Sequence, residues 1–273
     1  MLVLMEIGQQ FLMLQIDKKI TSDDLSILIF QDRIAFCTLE QTLYFNLEKK
    51  NINSDSLGTW IKYHNIKKNN TKCISFESNG VVVPEKLYDE ANKNLYLSLT
   101  DDDLKNKKIE TKFIESNNQI FIFPQSRDWD LLFQNLGVDI KTTHFAAELI
   151  SFLSKLANTS LKKSIFIHLR QNFFDVFIYQ GSQLLLFNSF PHQDEEEFLY
   201  YLFFVLEQFY LKANQFEAVF LGKFLEYQSY YDAFKQFHLI TNFTYPENLE
   251  IDSNHPAPFF NYFYAYENNI RKV

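Results

Sequence analysis

Short apolar runs of strand length alternate with helical segments along the chain, and the same order of elements occurs twice. The first round begins with three runs rich in Ile, Phe and Leu, at 25–30, 34–40 and 42–48. Apolar runs of this length and composition favour β-strands. A helix is predicted at 54–66, where a Ser-Asp pair at the start can cap the free N–H groups.

The rest of the first round predicts further strands and helices and an inserted hairpin. Two alternating runs at 112–116 and 119–124 are joined by an Asn-Asn pair, which is typical of a tight hairpin turn. Proline is tolerated best at a helix start, so one helix is expected directly after Pro84. The remaining predicted elements are two strands and three helices: 71–78, 81–84, 85–97, 126–137 and 143–158.

The second round repeats this order. Strands are predicted at 164–169, 173–179 and 184–190, joined by a Gln-Asn turn and by a turn that contains Gly181. The remaining elements are a long helix, a strand, a helix and a strand, before an aromatic tail: 194–211, 218–222, 225–237, 239–244 and 255–270.

Three antiparallel strands followed by helix, strand, helix and strand, occurring twice, predict an α/β fold. The expected architecture is actin-like, a tandem ribonuclease-H-like duplication of two mixed sheets, each flanked by helices. This is the architecture of the superfamily of actin, hexokinase and Hsp70. We expect the first half to span 1–158, with the inserted hairpin near 112–124, and the second half to span 159–273.

The composition indicates a globular chain and argues against several kinds of function. Hydrophobic residues make up 47% of the 273 residues, with 30 Phe and 15 Tyr among them, which is enough for a sizeable core. Only six glycines are present, whereas backbone cradles for phosphate usually need glycine. The net charge of −8 argues against nucleic acid as a partner, because nucleic-acid binders carry a basic face.

The residue types that carry chemistry form no recognisable motif. The two cysteines and six histidines show no CxxC, HxH or HExxH spacing, so we expect no metal site, no cofactor and no nucleophilic triad. The acidic run at 194–197 opens a predicted helix and is interpreted as capping. The apolar run at the start of the chain contains Glu6 and is too short to span a membrane. We therefore expect a cytoplasmic protein without membrane insertion.

Three stretches carry a family resemblance: DLSILIFQDRIAFCTLE, VVVPEKLYDE and LLLFNSFPHQDEEEFLYYLFFVLEQF. They resemble a Bacteroidetes family known as domain of unknown function 3822, whose members have an actin-like ATPase fold. The likeness covers roughly residues 22–270. It implies fold and lineage but no activity, because none of these stretches is a catalytic motif.

Active ATPases of the superfamily place an acidic residue and a glycine at the first hairpin turn of each half. The first-half turn, IFQDRIAF, offers Asp32 followed by Arg33 but no glycine. The second-half turn, HLRQNFFDVF, has Asn172 followed by two bulky phenylalanines where small residues should leave room. Asp175 is predicted to lie within a strand and not on the loop.

The adenosine position of the superfamily carries two glycines after a later strand, and here it reads AVFLGKF, with Gly222 followed by Lys223. Departures at all three turns predict that ATP hydrolysis is absent. The leading hypothesis is a noncatalytic actin-like protein that acts as a binding or scaffold module for a protein partner or as a homodimer. The alternative is an unorthodox nucleotide-binding switch or ATPase that uses the interdomain cleft through Asp32, Arg33, Asn172, Gly222 and Lys223.

The helix at 194–211 is apolar on nearly every side. A helix with little polar face is usually buried on several sides. The alternative interpretation is that some of its rings, together with those of the tail at 255–270, form an exposed surface that binds a partner.

Overall fold

The structure is a computed structural model in which part of the chain is described. The described residues are 25–37, 42–47, 54–66, 71–77, 79–98, 104, 107–125, 129–138, 140–157, 163–212, 215–222, 224–238 and 241–244. The predicted aromatic tail at 255–270 and Lys223 lie outside them.

The secondary structure of the described residues contains thirteen strands and six α-helices. The strands are β1 (Leu25–Ile29), β2 (Arg33–Cys37), β3 (Thr42–Asn46), β4 (Thr71–Ser75), β5 (Val81–Pro84), β6 (Lys108–Ile114), β7 (Gln119–Gln125), β8 (Thr142–His144), β9 (Lys163–Arg170), β10 (Phe173–Gln180), β11 (Gln183–Pro191), β12 (Phe216–Leu221) and β13 (Thr241–Thr244). The helices are α1 (Ser54–Tyr63), α2 (Lys93–Leu97), α3 (Trp129–Asn135), α4 (Phe145–Ala157), α5 (Glu195–Gln208) and α6 (Gln228–Lys235).

Two five-stranded sheets have the same strand order. The first sheet runs β3-β2-β1-β4-β8 and the second runs β11-β10-β9-β12-β13. In both sheets the first three strands form an antiparallel meander, and the next strand along the sheet pairs in parallel with the first strand of that meander. The repeated order confirms the predicted α/β fold, a duplicated ribonuclease-H-like architecture with two mixed sheets.

The inserted hairpin is larger than the sequence indicated. β6 and β7 form it, and β5 pairs with β7 on the other side to give a small antiparallel sheet in the order β5-β7-β6. The chain turns through a 3-10 segment at Glu115–Asn117, and Asn118 adopts a left-handed conformation with φ 47°. Asparagine tolerates this conformation better than most residues, which explains the Asn-Asn pair.

The single helix predicted at 85–97 is wrong. The segment contains two 3-10 turns, Glu85–Leu87 and Glu90–Asn92, and the short helix α2. Side chains compete here with the helical backbone for hydrogen bonds. Asp89 accepts from the backbone N–H of Ala91 at 3.0 Å, and the Tyr96 hydroxyl accepts from the N–H of Asp89 at 3.0 Å. These bonds hold the segment in an irregular conformation.

The described residues group into two compact units. The first unit comprises those before Glu77 together with Trp129–Thr142, and the second comprises the others. The first unit has its own core of β1, β2, α1 and α3 side chains, with Trp129 and Phe133 fully buried. The predicted boundary at residue 158 separates two repeats along the sequence. Because the two compact units are defined by contacts and not by repetition, they do not test that boundary, and it stays a prediction.

The second unit contains the small sheet, the second sheet and helices α4, α5 and α6. Alternate side chains of β9 and β10 pack against α5 and α6 in one aromatic-rich core. Side chains on the opposite face contact α4, where Tyr179 donates a hydrogen bond to the Ile150 carbonyl at 2.9 Å. The second sheet is therefore covered on both faces, as expected for a sheet with parallel strands.

Candidate functional site

A cluster of polar side chains lies inside the second unit, at the hairpin formed by β9 and β10. Residues alternate between the two faces of a strand. Leu169 and Phe174 point towards the core that contains α5, whereas His168, Arg170 and Asp175 point the other way. The antiparallel register pairs His168 with Asp175.

Asp175 is the centre of this group and is completely buried. Its Oδ2 accepts hydrogen bonds from Arg170 Nε at 2.8 Å and from His168 Nδ1 at 3.0 Å. Its Oδ1 accepts from Arg170 Nη2 at 2.9 Å and from Ser189 Oγ at 2.5 Å. Arg170 Nη2 also donates to Asn79 Oδ1 at 3.0 Å. We call these five residues the Asp175 cluster.

The electrostatics of the cluster keep Asp175 ionised and His168 neutral. Burial by itself would raise the pKa of Asp175, but the Arg170 charge and the hydrogen bonds from His168 and Arg170 outweigh it, so the pKa lies well below its usual range. Burial lowers the pKa of His168 in spite of the attraction of Asp175. The neutral His168 ring therefore donates to the carboxylate from Nδ1.

Aromatic rings cover the charge of Arg170. Its guanidinium carbon lies 4.5 Å from the centre of the Phe145 ring and 5.4 Å from that of Phe173. A guanidinium stacks well on aromatic faces. Phe173, one of the two bulky residues that follow the turn, thus packs on the guanidinium of Arg170.

His192 holds the turn between β9 and β10. Its backbone N–H donates to the Asn172 carbonyl at 3.1 Å, and its Nε2 donates to the carbonyls of Arg170 at 2.9 Å and Phe173 at 3.1 Å. The other ring nitrogen, Nδ1, accepts from the Tyr230 hydroxyl at 3.1 Å. Asn172 itself adopts a left-handed conformation with φ 67°. The carbonyls of Arg170, Asn172 and Phe173 at this turn therefore already accept hydrogen bonds from His192.

The first-half turn residues lie in the first unit, at the end of the β1–β2 hairpin. Arg33 forms an ion pair with its neighbour Asp32, with Nη2 and Oδ2 2.7 Å apart, and about two fifths of each side chain is exposed. The Asp32 carbonyl accepts from the N–H of Leu47 at 2.8 Å. The pair is a short-range surface contact between adjacent residues.

Gly222 lies in the second unit, directly after β12, and has φ 75°, a conformation that favours glycine. The cavity beside it has a volume of only about 10 Å³ and is lined by apolar side chains, including Phe224 and Tyr227. Pockets for drug-sized ligands are typically about 300–1,000 Å³, so this cavity has no room for adenosine. Whether the predicted residues Asp32, Arg33, Asn172, Gly222 and Lys223 act together stays a prediction.

Asp175 lies within a strand, as predicted from the sequence, but the cluster around it was not predicted. A signal was present, because a two-residue turn at Gln171-Asn172 fixes the register of the hairpin. That register places His168 opposite Asp175 and Arg170 on the same face, two residues further along. The contacts of Ser189 and Asn79 with the cluster could not be inferred from the hairpin register, since both residues come from other parts of the chain.

Among the residues that the structure describes, no three or more His, Cys, Asp or Glu side chains come together in a way that could hold a metal ion. No helix there is long and apolar enough to span a membrane.

Comparison with solved structures identifies the class of fold as actin-like ATPase. A Bacteroides thetaiotaomicron protein with an actin-like ATPase fold and unknown function has a TM-score of 0.71 and 16% identity, with 89% of this chain and 95% of that chain covered. A PilM-PilN type IV pilus biogenesis complex has a TM-score of 0.57 and 8% identity, with 91% and 98% covered. At these identities the likeness shows the fold alone.

The family is shown by a sequence model. The chain belongs to the family described as "Protein of unknown function (DUF3822)", whose model matches residues 13–240. This confirms the family resemblance found in the sequence. A search of curated protein sequences found no match.

Proposed function

We propose that this chain is a noncatalytic protein of the actin-like fold, a pseudo-ATPase that acts in the cytoplasm as a binding or scaffold module for protein. The observation that carries the proposal is the Asp175 cluster. It occupies the second-half hairpin, where an active ATPase of the superfamily would present an acidic residue and a glycine.

Phosphate and metal chemistry needs groups that are free to reach the ligand. Both oxygens of Asp175 accept hydrogen bonds from protein side chains, and the carboxylate is buried. Arg170 is engaged by the same carboxylate and by Asn79. A metal-bound water or a phosphate would have to displace these partners and leave buried charges uncompensated, which is costly.

The turn itself also lacks the means to cradle an anion. Such cradles present backbone N–H groups to the ligand, usually with glycine nearby. Here Phe173 and Phe174 follow the turn, and Phe174 is fully buried in the core that contains α5. The side chains at this end of the hairpin pack against the core and against Arg170, which supports a structural role for this region.

A binding role is supported by analogy and by the surface. One solved structure with the same fold is a complex of two proteins, PilM and PilN, so the fold can serve assembly, although fold alone does not establish function. Two large aromatic side chains on α5, Tyr200 and Phe204, are exposed. Contiguous exposed apolar patches mark interaction sites, and protein interfaces are enriched in aromatic residues.

Nucleotide titration tests the noncatalytic part of the proposal. We expect isothermal titration of the full chain with ATP, ADP and GTP, each with Mg²⁺, to show no binding below millimolar concentration, and phosphate release to match the buffer rate. Micromolar binding that is lost in Lys223→Ala and kept in the control Lys62→Ala, which changes an exposed lysine on α1, would instead support the nucleotide switch.

A further inference from the structure

The segment between β4 and β5 contains the one Asn-Gly pair of the sequence, Asn79-Gly80. Six glycines are present, and each of the other five follows an Ile, a Leu or a Gln. An asparagine followed by glycine is the pair most prone to deamidation, because glycine has no side chain that hinders attack by its backbone nitrogen on the asparagine amide. Asn79 is therefore set apart from the other asparagines of the chain.

The side-chain amide of Asn79 is held by the cation of the Asp175 cluster. Arg170 Nη2 donates to Asn79 Oδ1 at 3.0 Å. A donor at about 2.7–3.1 Å from such an oxygen is placed to stabilise the negative charge that the oxygen takes up when its carbon is attacked. The contact with Arg170 thus makes Cγ of Asn79 a better electrophile than the same atom in a solvated asparagine.

The attacking atom is the backbone nitrogen of Gly80, and it lies outside the strand ladders. β5 begins one residue later, at Val81, where its pairing with β7 starts. Among the described residues, no group accepts a hydrogen bond from the Gly80 N–H. An N–H within a ladder would lose its hydrogen bond when the nitrogen attacks, and Gly80 avoids that cost. Asn79 is half-buried, so solvent reaches the pair.

We propose that Asn79-Gly80 is a self-modifying site, at which the Asn79 amide is converted to a carboxylate with Arg170 as the oxyanion donor. Hydroxide takes the proton of the Gly80 nitrogen, which bonds to Cγ of Asn79, and Oδ1 becomes an oxyanion facing Arg170. The bond from Cγ to Nδ2 then breaks, and this nitrogen leaves as ammonia after it takes a proton from water.

The product of that step is a cyclic imide, which water opens in one of two ways. Attack of water at Cγ breaks the new bond and gives aspartate at position 79. Attack at the backbone carbonyl carbon breaks the original peptide bond and gives isoaspartate, in which the chain continues through Cγ. Water and hydroxide are the only co-reactants, and no atom changes its oxidation state. The inference goes beyond the proposed binding function and does not depend on it.

The two products have different effects on the structure. Aspartate at position 79 places a second carboxylate on Arg170, so that one cation is shared with Asp175. Isoaspartate adds one carbon to the backbone directly before Gly80, where space is short. A side-chain carbon at Gly80 would lie 2.3 Å from Phe121 Cζ and 2.8 Å from the Ile122 carbonyl oxygen. Isoaspartate therefore displaces the start of β5, whereas aspartate leaves the backbone unchanged.

Asn188-Ser189 provides an internal control in the same unit. Serine is also a small residue, but Asn188 lies within β11, whose backbone is fixed by its pairing with β10. The Ser189 N–H donates to Asn188 Oδ1 at 3.0 Å, so the nitrogen that would have to lose its proton is already hydrogen-bonded. We expect no modification of Asn188 in the folded chain.

Mass spectrometry of the full chain tests the proposal without any substitution. The wild-type chain is incubated at neutral pH in water labelled with heavy oxygen, either folded or unfolded in guanidinium chloride, and its peptides are mapped over time. Label should enter position 79 at least about tenfold faster in the folded chain, since one preorganised oxyanion donor is worth about 100- to 1,000-fold in rate. An equal or slower rate in the folded chain, or labelling of Asn188 as fast as Asn79, overturns the proposal.

Two variants assign the effect to particular side chains. Asn79→Gln should end the labelling at this position, because a glutamine amide would have to close a larger ring. Arg170→Met combined with Asp175→Ala removes the donor without leaving a buried charge unpaired, and it should slow the labelling at least about tenfold. A folded double variant that is labelled as fast as wild type overturns the role of Arg170. If circular dichroism shows the double variant to be unfolded, the comparison of folded and unfolded wild type decides.

Discussion

The first hairpins of the two sheets place different residue pairs at equivalent positions. In the β1–β2 hairpin, Leu28 lies opposite Ala35, and in the β9–β10 hairpin, His168 lies opposite Asp175. In both hairpins these pairs point away from the face that carries the main helical core, and all four residues are buried. One half thus fills the position with apolar side chains and the other with an ionic cluster.

This difference shows how the same strand pairing can be stabilised in two ways. Apolar side chains gain from leaving water without needing specific partners. A buried carboxylate instead requires that every one of its partners be present, because its desolvation is costly. The second hairpin therefore depends on residues from β11 and from the segment before β5, whereas the equivalent position of the first hairpin is filled by the buried apolar side chains of Leu28 and Ala35.

The largest expected effect on the free energy of unfolding comes from removing a buried ion pair, compared with removing an exposed one. Asp175→Ala leaves Arg170 buried without its carboxylate, so the free energy of unfolding should fall by about 3–5 kcal/mol. Asp32→Ala removes the partly exposed pair with Arg33 and should change it by less than about 1 kcal/mol. Urea unfolding followed by circular dichroism measures both. Equal losses in the two variants contradict the comparison.

A second variant tests whether the cost of Asp175→Ala comes from the uncompensated charge. Arg170→Met combined with Asp175→Ala removes both charges and makes this part of the second hairpin more like the first. The double variant should be more stable than the sum of the single losses predicts, by about 1–3 kcal/mol. The measurement is a double-mutant cycle from urea unfolding, and additive losses would show that the two charges do not interact.

The third prediction concerns pH, since the second hairpin carries two buried titrating groups, His168 and Asp175. The folded-state pKa of His168 is lowered, so the unfolded chain takes up a proton first as pH falls below about 6.5. The stability due to neutral His168 is complete above that pH and declines below it, by up to about 1.4 kcal/mol per pH unit. The ionised Asp175 adds a similar loss below about pH 4.

Unfolding of His168→Asn and wild type between pH 7.5 and 4.5 checks this. The stability difference between the two proteins should shrink as pH falls, because the variant has no imidazole to protonate. The control is Leu28→Ala in the first hairpin, whose loss relative to wild type should stay constant over the same range. A constant difference for His168→Asn as well means that the histidine does not titrate as the cluster requires.

The smallest expected change in stability comes from substitutions in the two hairpin turns. Asn172 adopts a left-handed conformation, so Asn172→Ala should destabilise by about 1 kcal/mol and Asn172→Gly should be close to neutral. Gln31 in the first turn is exposed and has an ordinary conformation, and Gln31→Ala should have no measurable effect. Thermal unfolding resolves these differences, and an Asn172→Ala variant as stable as wild type would remove the strain argument.

Much of the fold could be predicted from the sequence, because strands and helices leave local patterns. The runs at 25–30 and 173–179 coincide closely with β1 and β10, and their order identified the duplicated sheets. Asp194 was correctly interpreted as a cap, since its side chain accepts from the N–H of Glu197 at 2.8 Å. The helix predicted at 85–97 was wrong, because Asp89 and Tyr96 form hydrogen bonds that a helical pattern does not reveal.

The candidate site was less predictable than the fold. The missing glycines at the turns were visible in the sequence, and they led to the hypothesis that ATP hydrolysis is absent. The full Asp175 cluster at the second-half hairpin was not visible, because Asn79 and Arg170 are 91 residues apart. Contacts at such separation depend on how the sheets are assembled, which no local pattern encodes.

By itself, the sequence determined the meander of each sheet, most of the other elements and the register of the β9–β10 hairpin, since these follow from apolar periodicity and turn length. It did not reveal the strand β8 or the irregular segment at 85–97. Only the tertiary structure decided that Asp175 meets Ser189 and Asn79, and that Tyr200 and Phe204 lie on the outside of α5. The physical reason is that a side chain's face follows from local geometry, whereas what covers that face depends on elements distant in the chain.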